Sequence, residues 1–200
     1  MVNNFTIIKK YLDFSNPDTY YFLQIIQRRK DNPDLGKDMR IIDDIFIYSL
    51  EQFERMEDEV ITKCVTNNAR AYFRLNKRSL KKSAMQVLKK VTTMIIDENY
   101  KSVKNAYSSV SGEFHNDEDK KWIVDIDNVV YDGNFGYNQE SMLTTLKSLQ
   151  IQTGREPLLN SIPTKNGIHI ITRPFNVNEF KKLYPTIDIH KDNPTLLFCP

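Results

Sequence analysis

The stretch KWIVDIDNVV, residues 121–130, alternates apolar and acidic side chains, and its reading decides the fold. Alternation with period two marks a strand with one buried face. Trp122, Val124 and Ile126 point one way, and Asp125 and Asp127 the other. GIHIIT, 167–172, repeats the pattern, with Ile168 and Ile170 opposing Gly167 and His169. TIDIH, 186–190, does so again: Ile187 and Ile189 oppose Asp188 and His190. If these three strands share a sheet with polar faces aligned, three carboxylates and an imidazole converge.

Carboxylates at i and i+2 of a strand lie about 6.6 Å apart along the backbone, and their side chains can lean together around one or two cations. Hard oxygen donors suit Mg²⁺ or Mn²⁺. Two such ions about 4 Å apart activate an attacking hydroxyl and stabilise a leaving pyrophosphate. Asp188 would complete a cradle begun by Asp125 and Asp127, with Asp192 the other candidate for the third acid. A solvent-facing sheet surface explains the same acids equally well. A lone mid-strand histidine is also what a hydrogen-bonded structural residue looks like. A second acidic pair, Asp117 and Asp119, lies with His115 in the polar stretch SGEFHNDEDK and reads as solvated turn.

Composition narrows the partners. The chain has 200 residues, 40% hydrophobic and 27% charged, which is globular and sufficient for one domain. Eleven Phe and ten Tyr favour substantial sheet. A net charge of +2 gives no global basic field, so nucleic-acid binding would need a local patch. Cys64 and Cys199 form no CxxC pair or zinc spacing, and a reducing compartment is expected. The N-terminal MVNNFTIIKKYLDFSN resembles no signal peptide, and no segment has the ~20 apolar residues of a membrane span. A cytoplasmic protein without membrane contact is the expectation.

Strands and helices alternate, so the class is α/β or α+β. PDTYYFLQI, 17–25, is a strand or helix start, and DIFIYSL, 44–50, reads as a buried strand. In 51–65 Phe53, Met56, Val60 and Cys64 recur at helical spacing. ARAYFRLNKR, 69–78, alternates: Ala71, Phe73 and Leu75 oppose Arg70, Tyr72 and Arg74. Ser79 caps a long helix with the expected inward stripe Leu80, Ala84, Val87, Leu88, Val91 and Ile95, and with Lys81, Lys82, Lys89 and Lys90 as its solvated face. Residues 98–110 read as helix. Asn138 caps a helix that turns Met142, Leu143, Leu146 and Leu149 inward. A short helix follows Pro174, and TLLFC, 195–199, ends the chain as a strand.

With these motifs in order, the sequence resembles the catalytic core of the archaeo-eukaryotic primase superfamily, the primase-polymerases, over residues ~45–200. The family's first motif is an apolar strand ending in two acids, here WIVDID. Its second is a histidine strand often written S-x-H, here Lys165-Asn166-Gly167-Ile168-His169, with glycine in the serine position. Its third is an apolar residue before an acid, here Ile187-Asp188. ARAYFRLNKRS looks like the strand that precedes the first motif in phage and plasmid members.

The resemblance implies a single domain of two modules. An N-terminal αβ module would span 1–112. A module at 113–200 would be an RNA-recognition-like (RRM-like) antiparallel sheet with flanking helices, carrying the metal motifs. It implies a nucleotidyltransferase, a DNA primase or polymerase acting in replication on a DNA template, from a phage or other mobile element. Asp125, Asp127 and Asp188 would hold two Mg²⁺ or Mn²⁺ ions. His169, Lys165 and the backbone at Gly167 would contact the triphosphate, with His190, Lys191 and Arg74 in reach of the nucleotide. Arg70, Tyr72 and Arg74 would meet the single-stranded or primed template. No Walker A or zinc motif is present, so a separate helicase or single-strand binding protein would supply processivity. The competing readings are a non-catalytic nucleotide- or nucleic-acid-binding relative, another two-metal phosphotransferase or nuclease, and a structural protein with a polar sheet face.

Overall fold

A computed structural model describes residues 1–113, 120–127, 139–154, 156–192 and 194–200. His115, the Asp117–Asp119 pair, Asn138 and the 128–130 end of the first quoted stretch lie outside the described residues. The described part opens with Val2–Asn3 (β1) and Phe5–Lys9 (α1), neither foreshadowed by periodicity. Thr19–Arg28 (β2) and Met39–Ile47 (β3) form a hairpin. The expected buried strand at 44–50 is the end of β3, an edge strand in which only Ile47 is buried.

Leu50–Arg55 (α2) starts at Ser49, whose Oγ accepts from the Gln52 N–H at 3.1 Å. Glu57–Thr66 (α3) carries Glu57, Asp58 and Glu59 in its first turn, where the helix dipole favours anions. The single helix expected over 51–65 is therefore two, broken at Met56. The break keeps Phe53, Met56, Val60 and Cys64 all in the core.

Arg70–Ser79 (β4) alternates as its sequence dictates. Leu80–Ile96 (α4) follows, capped by Ser79 Oγ, which accepts from the Lys82 N–H at 3.0 Å. The region expected to be helical over 98–110 is a 3-10 turn, Tyr100–Asn105, and then Ala106–Glu113 (α5). The remaining elements are Trp122–Asp127 (β5), Gln139–Ile151 (α6), Asn160–Pro163 (β6), Gly167–Thr172 (β7), Val177–Leu183 (α7), Asp188–His190 (β8) and Thr195–Cys199 (β9).

These strands form two antiparallel sheets in a mixed α/β molecule, compatible with α+β. One has the order β1-β9-β4-β2-β3 and the other β6-β7-β5-β8. The second sheet arises from the succession β5-α6-β6-β7-α7-β8, a β-α-β-β-α-β unit. One face, with Val124, Ile126 and Ile170, packs on Met142, Leu146 and Leu149 of α6 and Phe180 of α7. At one end of the opposite face, Ile123, Ile162 and Ile171 join the core that β2, β4 and α1–α3 build around Phe5, Phe53 and Phe73. The two sheets therefore touch at one end and part at the other.

Two expectations need correction. The last strand does not stay with the 113–200 unit: β9 crosses to the first sheet and pairs with β4 and β1. All five residues of β9 are buried, so TLLFC is a core strand of the N-terminal sheet. The expected apolar stripe of α4 is inward only in part: Leu80, Val87 and Val91 are half-buried, while Ala84, Leu88 and Ile95 are exposed. Leu88 is 70% and Ile95 50% exposed, and Ser83 is the one fully buried residue of that helix. Among the described residues no helix is long and apolar enough to cross a membrane.

Candidate functional site

Register decides what meets what. β5 lies between β7 and β8, and Asp125 is directly opposite His169 on one side and Asp188 on the other. Directly opposed residues of an antiparallel pair project from the same face. Asp125, His169 and Asp188 therefore share one face, the one opposite Val124 and Ile170. Asp127 is opposite Gly167, and His190 is opposite Ile123, on that same face.

The face opens into a cleft between the two sheets with a cavity of about 580 Å³. Asp125, Asp127, Lys165, Asn166, His169 and His190 line it from the second sheet. Ile26, Arg28, Arg70 and Tyr72 line it from the first, with Lys30 and Met39 at the β2–β3 lip. Asp188 is exposed and is not among the lining residues.

Asp125 is the centre of the arrangement. His169 Nε2 is 3.4 Å from its Oδ1, and His190 Nε2 is 3.7 Å from its Oδ2. The His169 imidazole holds the Asp125 carboxyl below its usual range; burial opposes the shift and His190 assists it. Oδ1 is nonetheless buried without a hydrogen-bond partner. On its other side His169 Nδ1 is 2.9 Å from the hydroxyl of Thr195, a fully buried residue of β9. The crossing of β9 into the first sheet thus sets the orientation of a histidine in the second.

The acids fit a hard cation by donor chemistry: Asp125 has an unpartnered oxygen, Asp127 stands two residues along the same face, and Asp188 is its cross-strand neighbour. Among the described residues no three His, Cys, Asp or Glu side chains already converge in a metal-holding group.

At the cleft mouth Asp31, in the β2–β3 loop, joins the two sheets. Arg70 grips its carboxylate through Nε and Nη2, both at 2.7 Å, and Lys165 Nζ reaches it at 2.8 Å. Burial pushes the Asp31 carboxyl up, but the hydrogen bonds from Arg70 and Lys165 outweigh it and hold it at about 2. Beside them Arg28 donates to the Tyr72 hydroxyl at 3.2 Å.

Gly167 has a steric reason to be glycine. A Cβ built there would lie 1.9 Å from the Ile126 carbonyl oxygen on β5. The serine of the S-x-H pattern does not fit this backbone, and the close approach falls where Asp127 pairs with Gly167 at the end of β5.

Three sequence assignments take different partners. Arg74 donates to the Asp192 carbonyl at 2.6 Å and lies outside the cavity lining. Lys191 sits over the Trp122 ring at 5.1 Å rather than in the cleft. Asp192, the alternative third acid, accepts from the fully buried Arg78 and from Asn76, each at 2.9 Å, so it is a counter-ion inside the fold. Arg28, Lys30, Asp31 and Thr195 escaped the sequence reading. The run Arg28-Arg29-Lys30 at the end of a strand was a visible signal, whereas Thr195 had none. Comparison with protein-family models, curated proteins and solved structures finds no match.

Proposed function

We propose that this chain is a metal-dependent nucleotidyltransferase of the primase-polymerase type, extending or founding a strand from nucleoside triphosphates on a DNA template. The observation that carries the reading is the register of β5, which sets Asp125 between His169 and Asp188 on a face that looks into a cleft with basic residues at its rim. The β-α-β-β-α-β succession of the second sheet supports the RRM-like module that the resemblance implies.

Asp125, Asp127 and Asp188 would hold the Mg²⁺ or Mn²⁺ ions, which when bound polarise the triphosphate and offset charge on the leaving pyrophosphate. His169 and Lys165 seat phosphate oxygens, and Arg70 adds a fixed positive charge behind them. Thr195 holds the His169 ring so that Nε2 faces the cleft. Tyr72 offers a ring to a base, and Arg28 and Lys30 offer charge to a strand crossing the lip.

Incorporation of labelled nucleotide on a primed DNA with Mn²⁺, abolished in Asp125→Ala, tests this reading. Degradation of the same DNA without added nucleotides would instead indicate a nuclease. A non-catalytic binding protein is the second reading, favoured by the exposed position of Asp188 beyond the cavity lining. Template binding that is unaffected by Asp125→Ala, with no incorporation, would establish it.

A further inference from the structure

Asp31 carries more positive charge than it needs. Arg70 satisfies its carboxylate alone, through Nε and Nη2 at 2.7 Å each, and Lys165 Nζ adds a third bond at 2.8 Å. A bidentate guanidinium already pairs a carboxylate in both charge and geometry. Two cations against one anion leave the cluster positive, and Arg28 and Lys30 line the same cavity.

The two cations are held very differently. The Arg70 side chain is 7% exposed, and Asp31 is fixed beside it by its backbone. The Asp31 N–H donates to the Arg28 carbonyl at 3.0 Å, and the Asp31 carbonyl accepts from Asn68 Nδ2 at 2.8 Å. Lys165 comes from the other sheet, on the loop between β6 and β7, and its side chain is 45% exposed. It is a flexible stem ending in a point charge. Lys165 lines the cavity and Asp31 does not, so an anion entering the cleft meets the ammonium first. Lys165 can leave without stranding Asp31, because Arg70 remains. Arg70 cannot leave without burying an uncompensated charge. A half-exposed lysine–carboxylate pair is weak and screened by salt, so a polyphosphate with several charges competes for it effectively.

We propose that Asp31 is a positioning residue that stores Lys165 at the cleft mouth and thereby sets the affinity of the cleft for polyphosphate. An entering polyphosphate takes Lys165 over from Asp31, and Arg70 stays behind as the partner of the carboxylate. That the polyphosphate belongs to a nucleotide rests on the function proposed above; the exchange itself rests on the cluster.

Calorimetric titration of inorganic triphosphate, without metal and at low salt, into the parent, Asp31→Asn, Lys165→Met and the double variant is the test. Lys165→Met is expected to weaken binding about fivefold or more, and Asp31→Asn to tighten it about threefold or more. The double variant should bind like Lys165→Met. No binding by the parent, no tightening in a folded Asp31→Asn, or a gain that survives in the double variant overturns the proposal. The parent alone gives a second readout that needs no variant to fold. In ¹H–¹⁵N side-chain spectra at saturating triphosphate, the Lys165 Nζ signal should move and the Arg70 Nε signal stay. An unmoved Lys165, or an Arg70 that moves with it, also overturns the proposal. Neither measurement involves metal or incorporation, so a chain that passes both and incorporates no nucleotide keeps the exchange and loses the polymerase reading.

Discussion

Replacing Asp31 with asparagine removes the anion on which Arg70 and Lys165 converge. The Arg70 side chain is 7% and the Asp31 side chain 10% exposed, so water screens this contact little. The Asp31 carboxyl falls from 3.8 to about 2 in the folded chain. A displacement of nearly two units corresponds to roughly 2.5 kcal/mol of preference for the charged form. Asparagine can still accept a hydrogen bond from Arg70, but it leaves a buried guanidinium uncompensated, so the expected loss at neutral pH is about 2–4 kcal/mol. Because the folded value is depressed, the carboxylate's contribution is complete above 3.8 and disappears as pH falls through about 2. Urea unfolding of both chains at several pH values reads this directly. The gap between them should be widest near neutrality and close at the acid end of that window. A gap below about 0.5 kcal/mol at neutral pH, or one unchanged into acid, would refute the bridge as a contributor to stability.

Gly167→Ser should destabilise by about 3 kcal/mol or more, seen as a lowered thermal midpoint, because its Cβ meets the Ile126 carbonyl at 1.9 Å; an unchanged midpoint would contradict the close approach. Asp192→Asn strands the buried Arg78 and should cost about 3–5 kcal/mol in urea while leaving Mn²⁺ affinity unchanged. Asp188→Asn should do the reverse, with stability within about 0.5 kcal/mol of the parent and calorimetric Mn²⁺ binding weakened at least about tenfold. Thr195→Val keeps the shape of the side chain and removes the hydroxyl on His169 Nδ1, so nucleotide incorporation should fall about tenfold with template binding intact.

The strands that carry the site were legible because each has period two and a split character. WIVDID, GIHIIT and TIDIH each separate apolar from polar faces, and the structure aligns those faces. The polar side of ARAYFRLNKR was equally visible, but the destinations of its arginines were not. Arg70 meets a loop aspartate 39 residues away and Arg74 a carbonyl 118 residues away, contacts that no local pattern encodes. The TLLFC strand was found as an element and assigned to the wrong neighbours, since its continuous apolar run says only that both faces are buried. The amphipathic period of α4 was legible, but only Leu80, Val87 and Val91 of its expected inward stripe turn toward the protein. Periodicity locates an apolar stripe, and the burial of Ser83 and the Lys90 contacts decide which way the helix rolls. Strand alternation favours Asp188 over Asp192 as third acid; Asp192 is engaged by Arg78, and Asp188 is exposed outside the cavity lining.

The central claim is that Asp125 anchors a divalent-ion and triphosphate site shared by three strands. Calorimetric titration of Mn²⁺ with a nucleoside triphosphate into the parent chain and into Asp125→Asn tests it most directly. Tighter triphosphate binding with Mn²⁺ in the parent, lost at least about tenfold in a variant that remains folded, is the expected result. Equal binding by the two chains, or none by the parent, would contradict it.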